Sequence, residues 1–160
     1  MNEHRINKEA GRGRSWLDYL ALSIAFLAAI VAFFGALVTY STEAHIPEAS
    51  LWPLPGLVLV DWVLLALIGF IITYFCFRQS STKLLYAAWF ITGTFIPLSI
   101  LGAPSIGLGV LITLFMFVVT TIFFAIRQAG KLLQSFGLLM LGSICNLGVL
   151  SILIELGTTI

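Results

Sequence analysis

A chain of 160 residues that is 60% hydrophobic and only 9% charged, with a mean hydropathy of +1.09, cannot supply the polar surface of a soluble domain. The net charge of +1 argues against a nucleic-acid partner. All folding must therefore come from apolar helices packing on one another within one domain.

Residues 1–15 are polar and basic, with Arg5, Lys8, Arg12 and Arg14, and read as a disordered tail lying near anionic headgroups. The apolar run that follows, 16–40, exceeds the roughly 7–15 residues of a signal-peptide core and is read as a retained first span. Within it Ala21, Ala25, Ala28, Ala32 and Gly35 recur every three or four residues, which puts small side chains on one helical face. Lipid offers little hydrophobic drive for helix association, so such a face marks a packing seam, with Phe26, Leu27, Phe33, Phe34 and Leu37 left for gaps or lipid.

The connection 41–56 carries Pro47, Pro53 and Pro55 and reads as an outer loop, with Leu51 and Trp52 at the interface. Spans are expected at 57–77 and 84–101, joined by the polar turn 78–83. Pro97 in the third span leaves the carbonyl near Gly93 without its helical donor and should bend the helix, with Thr92 and Thr94 as candidate partners. A turn at Gly102-Ala103-Pro104 leads to the fourth span, 105–126, whose twenty-two uncharged residues cover about 33 Å as a helix. After the basic turn 127–131, a fifth span covers 132–155.

The predicted fold class is all-α: an integral membrane bundle of five transmembrane helices occupying residues 16–156. All eight Lys and Arg residues lie in the tail or in the 78–83 and 127–131 turns, which puts the N-terminus in the cytoplasm and the C-terminus outside, most simply in the plasma membrane. Trp16, Tyr19, Tyr74, Tyr86 and Trp89 fit an inner aromatic belt; Tyr40, Trp52 and Trp62 fit an outer one. Arg78-Gln79 with Lys83-Leu84-Leu85 is echoed by Arg127-Gln128 with Lys131-Leu132-Leu133, as a duplicated two-helix unit would produce. Cys76 and Cys145 read as buried small apolar residues at different depths, Cys76 with acylation as its alternative.

The outer side holds Glu43, His45, Glu48, Asp61 and Glu155 with no base beside them. The spacing of Glu43, His45 and Glu48 matches no metal-ligand pattern. Asp61, Asn146, Ser151 and Glu155 share an outer depth and outline a candidate polar pocket, with Gly137, Gly148, Ser151 and Glu155 on a face of the last span expected to point inward. No paired intramembrane histidines, CxxC, GxSxG or glycine-rich phosphate loop is present, so neither a cofactor nor self-contained catalysis is expected. The expected role is an accessory, assembly or partner-binding membrane subunit, whose partners are the bilayer and either another membrane protein or further copies of the chain. A small transporter or channel-like protein with an outward polar pocket is the alternative.

Overall fold

The computed structural model describes residues 15–45, 56–79, 81–106, 108–128 and 132–159. The basic tail and most of the proline-bearing loop, including Glu48 and Trp52, lie outside the described residues. The chain is all-helical: α1 Trp16–Glu43, α2 Gly56–Gln79, α3 Thr82–Ile106, α4 Leu108–Gln128 and α5 Leu132–Thr159. All five are long and apolar enough to cross a membrane.

The start of α1 is set locally. Asp18 accepts a hydrogen bond from the Ser15 backbone N–H at 2.9 Å, and the Ser15 hydroxyl accepts one from Leu17 N–H at 3.4 Å, a capping box worth about 1 kcal/mol. The predicted turn at 102–104 is instead helix, and α3 continues to Ile106 before position 107 separates it from α4. A proline costs an apolar helix less than it costs a soluble one, because neighbouring helices can supply donors to the carbonyls that it strands.

Helices α1 to α4 form a ring in chain order, each packing on its two neighbours, and α5 leans on α3 from outside the ring. Ala21 meets Cys76 and Phe124 at one end while Gly35 meets Trp62 toward the other, so α1 runs antiparallel to α2. One end of the bundle thus carries Arg78 and Lys83, and the opposite end carries Glu43, His45 and Glu155.

The α1 seam faces the interior. Ala21, Ala25, Ala28 and Ala32 are fully buried, and the stripe continues through Ala36, with Gly35 at its edge. Phe26, Phe33, Phe34 and Leu37 point outward, and an apolar exterior of this kind would be an aggregation liability in water. Trp62, expected in the outer belt, is instead buried at the bundle centre. Its indole wedges between two glycines: a Cβ on Gly35 of α1 would lie 2.6 Å from it, and one on Gly109 of α4 would lie 2.7 Å away. Phe95 of α3 stacks on Phe117 of α4 with ring centroids 5.1 Å apart, and Gly69 of α2 makes room for that pair.

The α3–α5 contact is parallel and closer still. A Cβ on Gly93 would run into the Leu139 carbonyl, and one on Gly142 would run into the Phe90 carbonyl. These two glycines let the backbones touch, as small residues do between helices in lipid. Gly93 and Gly142 are 49 positions apart, as are Phe90 and Leu139 and the two Arg-Gln pairs, whereas Lys83 and Lys131 are 48 apart, so the crossing keeps the register of the Arg-Gln pairs and not that of the Lys-Leu-Leu runs. The two hairpins are nevertheless arranged differently: α2 packs along α3, whereas α4 and α5 barely touch.

Candidate functional site

Polar groups of three helices come together where α2, α3 and α5 meet. Asn146 of α5 is buried and donates through Nδ2 to the Thr94 carbonyl of α3 at 2.8 Å. Its side chain also hydrogen-bonds the carboxyl of Asp61, about 7 Å inside the start of α2 by helical rise. The amide therefore ties three helices together. The second carboxyl oxygen of Asp61, Oδ2, is buried and has no hydrogen-bond partner.

One turn away, Ser143 of α5 donates to the Gly93 carbonyl at 2.8 Å. Gly93 lies four residues before Pro97, which has no N–H to offer it. The donor expected from Thr92 or Thr94 thus comes from another helix, because both threonine hydroxyls bond back to earlier carbonyls of α3, Ala88 O at 2.8 Å and Ile91 O at 2.6 Å. Proline on one helix and serine on another form a complementary pair.

Of the four pocket residues expected from shared depth, Asp61 and Asn146 come together and Ser151 and Glu155 do not. Both of these are exposed, and the Ser151 hydroxyl bonds its own helix at Leu147 O, 2.8 Å away. Nine residues separate Asn146 from Glu155, two and a half helical turns, so the two stand on opposite faces of α5. The face with Gly137, Gly148, Ser151 and Glu155, expected to point inward, therefore points away from the bundle. Helix α5 buries Ser135, Gly142, Asn146 and Leu150 instead. Small residues lie on both faces, so spacing alone could not choose between them; the backbone contact at Gly142 does.

Gly93, Thr94, Gly142 and Ser143 were missed as members of this cluster. The available signal was the proline four residues after Gly93 together with a Gly-Ser-x-x-Asn run, Gly142 to Asn146, on another span.

Other candidates disperse. His45 is exposed, its ring nitrogen Nδ1 2.6 Å from Ser41 O, and no metal-holding group of His, Cys, Asp and Glu occurs among the described residues. Cys76 is fully buried, out of reach of an acylating enzyme, whereas Cys145 is exposed on α5 rather than buried as expected. An apolar groove of about 400 Å³ opens between α1 and α2 near Tyr40 and Gly56, lined by Phe33, Ala36, Leu59 and Val63.

No protein-family model, curated protein or solved structure matches the chain.

Proposed function

We propose that this chain is a non-catalytic membrane subunit, resident in the plasma membrane with its N-terminus in the cytoplasm, that engages another membrane component through the outward face of α5. The reading rests on one observation: α5 is held by a single strong neighbour, α3, and its opposite face is open along its length. No atom of another helix lies within 4 Å of where a Cβ would stand on Gly137 or on Gly148. A helix so placed has solved its attachment but not its packing.

Extraction from the native membrane in a mild detergent, followed by native mass measurement, tests this. A companion present in fixed ratio and lost in Gly148→Leu supports the reading; a lone chain at native expression level refutes it.

A second reading, a small transporter or channel-like protein, draws on the unpartnered Oδ2 of Asp61, since an intramembrane carboxyl is costly unless it has work to do. It requires that Asp61→Asn change uptake or binding of a solute while leaving expression intact, and unchanged behaviour across substrate screens would refute it.

A further inference from the structure

Helices α3 and α5 are parallel and in backbone contact at Gly93 and Gly142, so their N-termini stand side by side at the basic end of the bundle. Each N-terminus presents N–H groups without helical acceptors and about half a positive elementary charge, and a single anion between two such ends is attracted to both. The first turns of α3 and α5 hold no acidic residue. The one acid at this end among the described residues, Asp18, is on α1 and accepts from the Ser15 N–H.

Donors gather in the same place. Ser135, the fourth residue of α5, lies on the face that meets α3; it is only 1% exposed, and its hydroxyl has no hydrogen-bond partner. The Cα–Cβ bond of a helical residue tilts toward the helix N-terminus, so this hydroxyl is aimed back at the gap between the two helix ends. The Nε1 donor of Trp89, two turns into α3, is likewise buried and unpartnered. Gln134, beside Ser135, is exposed and accepts from the Tyr86 hydroxyl of α3 at 2.6 Å, which ties the two ends together at the rim of the gap. Lys83, exposed in the first turn of α3, adds a full positive charge there. Buried donors beside two positive helix ends, with no carboxylate in either first turn, have the sign and hydrogen-bonding character that an anion requires.

Depth selects the anion. The apolar stretches of the two helices begin at Thr82 and Gln134, so their first turns lie where hydrocarbon gives way to headgroups. Phe136, exposed on α5 within the next turn, offers an acyl chain an apolar neighbour. A lipid phosphate is anionic and sits at that depth. With no carboxylate in either first turn to receive a headgroup ammonium, a lipid of net negative charge is preferred to a zwitterionic one.

We infer that the paired N-termini of α3 and α5 bind the phosphate of one anionic phospholipid, with Ser135 donating from the deep side and Lys83 closing the rim. The inference requires a bilayer around the bundle and is independent of whether α5 also meets a partner protein.

The test titrates the full chain, in a mild non-ionic detergent, with dioctanoyl phosphatidylglycerol or dioctanoyl phosphatidylcholine and counts bound lipid by native mass spectrometry. One phosphatidylglycerol should bind per chain, about fivefold tighter than phosphatidylcholine at low salt, with the difference closing at about 1 M salt. Ser135→Ala should weaken phosphatidylglycerol about tenfold and Lys83→Gln about fivefold, while Ser151→Ala, exposed at the far end of α5, changes nothing. Since Ser135→Ala removes only a buried unpartnered hydroxyl, its thermal unfolding without lipid should match that of the native chain, and the rise in Tm on adding phosphatidylglycerol should shrink. Equal affinity for the two lipids overturns the inference. A phosphatidylglycerol preference that survives both Ser135→Ala and Lys83→Gln also overturns it, and assigns the preference to the basic tail. Displacement of the bound lipid by millimolar inorganic phosphate would make the ligand a soluble anion and sink the lipid assignment. Loss of folding in lipid-free Ser135→Ala would make the hydroxyl structural, with the same consequence.

Discussion

Replacing Asn146 by Leu probes the three-helix junction directly. Leucine has the branching and the heavy-atom count of asparagine but offers no donor, so the Thr94 carbonyl and the Asp61 carboxyl both lose the amide. The two losses are unequal. Thr94 O keeps its helical donor, the N–H of Leu98, and a single interhelical hydrogen bond in a membrane protein averages about 0.6 kcal/mol. Asp61 already has one oxygen buried without a partner, and leaving a buried polar group unsatisfied costs about 1–3 kcal/mol. Asn146→Leu should therefore destabilise the bundle by about 2–4 kcal/mol, measured as the shift in reversible unfolding in mixed micelles. The double variant Asp61→Leu/Asn146→Leu removes the stranded carboxyl together with its donor and should recover most of that loss. An Asn146→Leu effect below about 0.5 kcal/mol, or strict additivity of the two changes, would show that this side chain does not hold α2, α3 and α5 together.

Other consequences are equally direct. Ser143→Ala strands the Gly93 carbonyl and should cost about 1–2 kcal/mol in the same unfolding assay, whereas in a Pro97→Ala background, where residue 97 regains its N–H, the same change should cost less than half as much. Ala28→Leu thrusts three extra carbons against the neighbours of α1 and should cost about 1–3 kcal/mol or abolish folding, while Phe34→Leu on the outward face should stay within about 0.5 kcal/mol. In the folded protein a membrane-permeant maleimide should modify Cys145 and spare Cys76; modification of both at equal rates would mean that the α2–α3–α4 contact around Cys76 is not formed.

Helix number and approximate limits were legible because they depend on one-dimensional quantities, apolar length and the position of polar turns. The exception at 102–104 has the same origin: Gly and Pro signal a break only where water or a turn can take up the stranded carbonyls, and in a packed apolar bundle the helix ran on to Ile106. The α1 seam was legible too, because one face of that helix is almost purely small and the opposite face almost purely large. Helix α5 offered no such asymmetry: Gly142 and Asn146 lie on one side, Gly148 and Ser151 on the other, and local spacing weighs them alike. Trp62 misled for a related reason, since an aromatic near the end of a span is usually interfacial, and only the distant Gly35 and Gly109 together clear a space for its indole.

The sequence by itself determined that the chain is helical and apolar, where its helices lie, and which end of the bundle is basic. Hydropathy and charge are properties of a residue and its near neighbours, so no knowledge of the fold is needed to read them. Only the tertiary structure decided that Asp61 meets Asn146 and not Glu155, that the carbonyl freed by Pro97 is served by Ser143, and that α5 leaves its second glycine face open. Those outcomes depend on which backbones can approach most closely, a contest between glycines about fifty residues apart on different helices that is settled when the helices pack.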